Sequence, residues 1–195
     1  MPAFSRIRMQ ILLMTAICCL ACRSAPAQTA PKPPAPTERD GQHDFDFMLG
    51  TWNVHVKQRL NPLAGAPVWS EMTGVSTNRK IWDGRANMDE FEADGPRGHH
   101  QSMTLRLYNP QTRQWSLFWA SSRDGVLGHP PMSGGFKDGR GEFYDQELFE
   151  GKAIFVRDVW SEITPTSAHF EQSFSSDGGK TWEPNWIATF TRSAR

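Results

Sequence analysis

The chain has 195 residues, and its 21 basic and 21 acidic side chains balance at pH 7. That charge gives no basic footprint for nucleic acid and no dense acidic tail, so neither partner class is favoured.

The N-terminus reads as an export signal. Arg6 and Arg8 precede an apolar run from Ile11 to Ala21, and Ala25-Pro26-Ala27 offers the small residues a signal peptidase recognises. The run is too short to span a bilayer, which takes roughly 20 residues. All three cysteines (Cys18, Cys19, Cys22) lie in this leader, so cleavage after Ala27 leaves a chain without disulfides. A second processing route stays open. Leu20-Ala21-Cys22 puts a small residue before a cysteine, as in lipoproteins, although Cys19 stands where a leucine is usual. That route leaves a lipid anchor at Cys22. Both routes predict a periplasmic or secreted protein. Losing the leader's three arginines (Arg6, Arg8, Arg23) takes the basic count from 21 to 18 against 21 acids, a net charge of −3.

Residues 28–42 contain Pro31, Pro33, Pro34 and Pro36 and almost nothing large and apolar. Such a segment cannot bury enough surface to offset its ordering entropy, which predicts a disordered tether. The structured part is then residues 43–193, roughly 150 residues, the size of one domain with one core.

From Trp52 onward the pattern is strands and turns. Trp52-Asn53-Val54-His55-Val56 alternates apolar and polar, as do Met103–Leu107 and Trp115–Trp119. Asn109-Pro110-Gln111-Thr112-Arg113, with proline where a type I turn wants one, joins the last two as a hairpin. Further strands are predicted at 70–78, 86–93, 132–137, 141–148, 153–163, 167–175 and 186–191. Asp138-Gly139, Glu150-Gly151 and Asp177-Gly178-Gly179 punctuate them. No helical period follows the leader. Nine or ten short sequential strands argue for an antiparallel barrel or sandwich.

Few motifs carry chemistry. No serine sits in a Gly-x-Ser-x-Gly elbow, and Gly179-Lys180-Thr181 lacks the earlier glycine of a P-loop, with Phe174 in its place. Ser175-Ser176-Asp177-Gly178-Gly179-Lys180-Thr181-Trp182 fits the Asp-box pattern instead, in which the aspartate ties down a hairpin and Trp182 closes the motif. Its role is structural. Asp89, Glu90, Glu92 and Asp94 face His99 and His100 across a turn, and His100 could approach Glu92. Adjacent histidines point to opposite faces of a strand, so the group reads as a solvated hairpin tip and no metal site is assigned. The eight tryptophans are the strongest signal. Trp115 and Trp119, four apart on one strand, share a face that can stack on a planar ligand, with Arg106 and Tyr108 one hairpin away.

Phe45-Asp46-Phe47-x-x-Gly50-x-Trp52, the Tyr108-Asn109-Pro110 hairpin leading to Trp115 and Trp119, and Ser176-Asp177-Gly178-Gly179-x-Thr181-Trp182 together resemble an uncharacterised family of exported bacterial proteins. That family is similar to lipocalin-like (calycin) barrels, where a Gly-x-Trp opens the first strand. The resemblance implies a closed β-barrel with an internal pocket. It also implies that Gly50 allows a tight entry and that Trp52 closes one end beneath Arg192 of the last strand. Among calycins the nitrobindin-type barrel binds haem through a histidine early in its last strand. Asn185 stands at that position here and cannot serve as an axial ligand, and His169 is the only nearby substitute, so no cofactor is expected.

The expectation is therefore all-β: a single antiparallel up-and-down, lipocalin-like barrel of about eight to ten strands. Thr104, Arg106 and Tyr108 are expected on one face of their strand, inward by the resemblance, with Trp115 and Trp119 across the hairpin as the ligand-binding set. Gly50, Trp52, Asp177, Trp182 and Arg192 are the structural set, and no catalytic residue is assigned. The expected function is binding of a small apolar or planar molecule. An isomerase or hydrolase acting on a hydrophobic or sugar substrate in the same cavity is the alternative, and an envelope interaction module a second. A buried carboxylate with a raised pKa beside the pocket would favour the enzyme.

Overall fold

The computed structural model describes residues 40–194. The predicted signal at 1–27, the cysteines with the candidate anchor at Cys22, and the part of the predicted tether before Asp40 lie outside these residues. No helix among the described residues is long and apolar enough to cross a membrane.

After a one-turn 3-10 helix, Asp46–Met48, ten strands follow in order: β1 (Gly50–Arg59), β2 (Trp69–Ile81), β3 (Ala86–Gly95), β4 (Gly98–Asn109), β5 (Gln114–Ser121), β6 (Met132–Lys137), β7 (Arg140–Phe149), β8 (Lys152–Ser161), β9 (Ser167–Ser175) and β10 (Glu183–Arg192). Each strand pairs antiparallel with its neighbours in sequence, and β1 pairs with β10, which closes the barrel. Closure removes the sheet edges that an open sandwich would expose.

The period-two alternation survives around the whole ring. Trp52 stands opposite both Ser76 and Arg192, Trp115 opposite Tyr108 and Gly134, and Trp160 opposite Phe170. One face of every strand therefore looks inward. Gly134 lies between Trp115 and Phe143, where a Cβ would meet the Glu142 carbonyl and stand 2.8 Å from the Phe143 Cα. The missing side chain lets two bulky strands approach and the sheet bend.

The barrel has a closed and an open end. At the closed end the segment before β1 folds in as a plug. Phe45 lies against Trp115, Phe136, Phe143 and Trp160, with ring centroids 4.9–6.2 Å apart. Trp52 is fully buried and donates its indole N–H to the Met48 carbonyl at 2.8 Å. The Arg192 guanidinium sits 4.1 Å from the Trp52 ring centroid. Its Nη1, Nη2 and Nε donate to the Leu49, Phe47 and Pro165 carbonyls, each at 2.8 Å. One cation thus stacks on the indole and satisfies the otherwise orphaned backbone of the plug. Gly50 has φ +96, a conformation that disfavours any side chain, and a Cβ there would stand 3.3 Å from Arg192 Nη1.

Asp40 and Gly41, placed in the tether by the sequence, are already bonded to the barrel. Tyr108 Oη donates to the Asp40 carbonyl, and Trp115 Nε1 donates to the Gly41 carbonyl at 3.0 Å.

Candidate ligand cavity at the open end

β6 is short, pairing with β5 only from Trp115 to Leu117. The upper ends of β5 and β7 run past it, and the 122–131 loop folds back instead, through an Ala120–Leu127 bridge and a Gly128 N–H donated to the Trp119 carbonyl at 2.7 Å. At this end the barrel holds a cavity of 310 Å³ lined by Gln58, Ser70, Met72, His100, Trp119 and Ser121 from the inner faces. Glu71, the β3–β4 turn (Gly95, Pro96, Arg97, Gly98), Arg123 and Asp124 form its rim.

His100 faces inward beside Phe91 and Trp186, with ring centroids 5.7 and 5.9 Å away. One imidazole nitrogen meets the Ser102 hydroxyl at 3.2 Å. Burial, then the nearby Arg123 and His99, push its pKa below the usual imidazole value, which favours the neutral ring. Trp119 pairs with Thr104 on the inner face, yet it is 49% exposed because the barrel opens there. An accessible indole, a thioether and a neutral imidazole in one opening suit a small flat molecule.

The five predicted ligand residues separate by level. Thr104, Arg106 and Tyr108 do share the inward face, with Trp115 and Trp119 opposite them. Trp119 alone of the five lines the cavity. Trp115 is 1% exposed at the plug, and Tyr108 beside it has its hydroxyl pushed up to about 12 by burial and the Asp40 contact. Arg106 lies between the two levels, 3% exposed. It donates to Asn78 Oδ1 at 3.2 Å, Asn87 Oδ1 at 3.0 Å and Asp89 Oδ2 at 3.2 Å, and stands over the Phe45 ring at 4.9 Å. Thr104 joins this cluster through its backbone N–H, donated to Asp89 Oδ1 at 2.8 Å. Sequence reasoning singled out the right face of β4 but missed His100, because adjacent histidines concealed which one turns inward. His100 pairs with Ala93 inside, whereas Glu92 points outward beside Gln101, so the approach of His100 to Glu92 does not occur. Among the described residues no cluster of His, Cys, Asp and Glu is arranged to hold a metal ion. Asn185 lies at a bulge of β10, and His169 pairs with Thr189 on the outward-facing register.

A second interior group went unnoticed in the sequence. Asp158 pairs with Phe143 on the inner face and accepts one hydrogen bond, from Gln172 Nε2 at 3.1 Å. Burial, reinforced by Glu147 and Asp145, raises its carboxyl to about 7 despite Gln172 and Arg106. In the turn between β9 and β10 Asp177 makes the opposite case. The Thr181 backbone and hydroxyl, Ser175 and the Lys180 N–H all bond its carboxylate and hold it well below the usual range. The hairpin it ties carries Trp182, which stacks on Arg157 at 4.5 Å.

No protein-family model matches the chain, and no curated protein matches its sequence. Among solved structures it is similar to CPES, an S-type phycobiliprotein lyase from Guillardia theta, at 12% identity with a TM-score of 0.54, over 81% of this chain and 95% of that one. A de novo designed fluorescence-activating beta barrel matches at 12% identity and a TM-score of 0.42, over 80% and 100% of the two chains. EF1p2_mFAP2b bound to DFHBI matches at 8% and 0.44, over 78% and 99%. The likeness to the lyase establishes a shared lipocalin-like barrel architecture, and at 12% identity it reaches no further than the fold.

Proposed function

We propose that this protein is a lipocalin-like binder that holds a small apolar or planar molecule at the open end of its barrel. The observation that carries this reading is the 310 Å³ opening with a half-exposed tryptophan on its inner wall, above a closed end packed solid with aromatic rings. A barrel that only filled itself would have no reason to leave an indole facing an open mouth. The volume lies near the lower bound of small-molecule pockets, about 300 Å³, which favours one or two rings over a large cofactor. Native mass spectrometry of protein purified from its own host should show a bound mass that Trp119→Ala loses. A ligand-free wild type, with no probe binding at the mouth, would overturn the reading.

Asp158 favours a second reading, in which the same barrel is an enzyme. Its buried carboxyl, held by Gln172 and raised to about 7 chiefly by burial, is suited to proton transfer, for a substrate that reaches past the residues lining the open-end cavity to the level of Phe143. In that case Asp158→Asn should abolish turnover of a bound substrate while leaving its affinity unchanged. A variant as active as wild type removes the reading. We further propose export, with either cleavage after Ala27 or lipid attachment at Cys22. Intact-mass analysis of the protein from its host decides between them, and an unprocessed cytosolic product would contradict both.

A further inference from the structure

We infer that the ligand of the open-end cavity is an anion: a planar apolar body carrying a carboxylate or similar group, which Arg97 and Arg123 receive at the rim. The inference rests on the mouth being the binding site and adds the charge of what binds there. Arg97 comes from the β3–β4 turn and Arg123 from the loop after β5, so two separate elements bring arginines to one opening. Neither is neutralised. Arg97 makes no ion pair or hydrogen bond among the described residues, and Arg123 donates its Nη2 only to the His99 carbonyl, at 3.3 Å.

The carboxylates around the same opening are mostly engaged elsewhere. Glu71 is held by His55 at 3.0 Å and by Lys57 at 3.6 Å. Asp94, beyond the lining, is held by His99 at 2.9 Å. Asp124 is the one lining carboxylate without a cation at ion-pair distance among the described residues, which leaves two unpaired guanidinium groups against one unpaired acid. The field reaches the interior, since Arg123 is one of the charges that disfavour protonation of His100. A guanidinium is planar and offers paired donors that match a carboxylate or sulfonate fork. An anionic head at the rim with its rings directed inward toward Trp119 and Met72 satisfies both guanidinium groups. A neutral molecule leaves them as they are, and a cation is repelled.

A matched pair of probes tests this on the full chain: anilinonaphthalene sulfonate and its uncharged parent N-phenylnaphthylamine, which share one ring system. The sulfonate should bind roughly tenfold tighter than the parent, as expected for a charge-assisted contact. That preference should weaken at high salt and disappear in Arg97→Gln/Arg123→Gln, with the parent's affinity unchanged. Both side chains sit on exposed turns, and unaltered melting temperatures would show that the variant folds. Anion binding should also raise the His100 pKa in an NMR titration, a shift the neutral probe does not produce. Equal affinities, both lost in Trp119→Ala, would overturn the anionic ligand and keep the cavity as a binding site. Failure of both probes to bind would overturn the binding site itself and this inference with it.

Discussion

Four side chains, three of them buried, show how individual groups shape the stability of this barrel. Arg106 is a guanidinium in the interior, and its charge is met by Asp89, two asparagine carbonyls and the face of Phe45. Removing one member of such a pair strands the other, at about 3–5 kcal/mol, whereas removing both is far milder. Arg106→Met should therefore lower the urea midpoint sharply, and Arg106→Met/Asp89→Asn should recover much of it. Additive losses would show that the two groups are not coupled. Asp158 behaves in the opposite way, because its carboxyl is raised by burial. Its protonated form is the one the fold accepts, so its contribution is intact below the unfolded carboxylate range and is lost as pH rises through about 7. Asp158→Asn should melt above wild type at pH 8.5, with the difference vanishing towards pH 4. A gap that persists at acid pH would remove titration as its cause. Trp52 fills the closed end completely, so Trp52→Ala should cost about 3–5 kcal/mol by cavity formation. Arg192→Ala loses three donated bonds and the stacking, about 2–3 kcal/mol as hydrogen bonds from a charged group.

At the level of elements, most of the strand plan was legible in the sequence because it rests on period-two alternation and on turn residues. Asp138-Gly139 and Glu150-Gly151 take up the positive φ values that short turns require. The Asp-box hairpin was legible for the same reason: four donors from Ser175, Lys180 and Thr181, at fixed spacing, satisfy one carboxylate. Asp177→Ala should release that hairpin, seen as faster hydrogen exchange at the Lys180 and Thr181 amides. Unchanged protection would mean that Trp182 on Arg157 holds it alone. Other features lay beyond local pattern. Phe45 and Phe47 precede the first strand and carry no strand period, so nothing in the sequence shows that they turn in to plug the barrel. The mouth is built from loops whose residues meet only after closure, and Arg97 and Arg123 have no shared spacing to detect. Tyr108 and Trp115 read as pocket residues because their face is inward. Their height along the barrel axis, which assigns them to the plug, depends on strand tilt and register that alternation does not encode.

For the molecule as a whole, stabilising contacts and accessible chemistry occupy opposite ends of the axis. The closed end concentrates the aromatic core, the Arg192 clamp and the bonds to Asp40 and Gly41. The open end has a short β6 pairing, glycine-rich turns and exposed apolar residues such as Val68, Val126 and Leu148. A site that admits a ligand has to leave polar and aromatic surface unpaired, and that surface adds little to folding. The two ends should therefore separate in a mutant panel. Trp119→Ala, with the side chain 49% exposed, should change the unfolding free energy by less than about 1 kcal/mol and abolish probe binding. Gly134→Ala, in the wall beside the plug, forces a methyl group into the Phe143 backbone. It should cost about 1–3 kcal/mol by overpacking, and the protein that remains folded should bind probe with wild-type affinity. The measurements are urea midpoints and probe affinities on the same preparations. If the affinity of Gly134→Ala falls in step with its stability, the two ends are coupled, and the mouth is then shaped by the packing beneath it and not by its own loops.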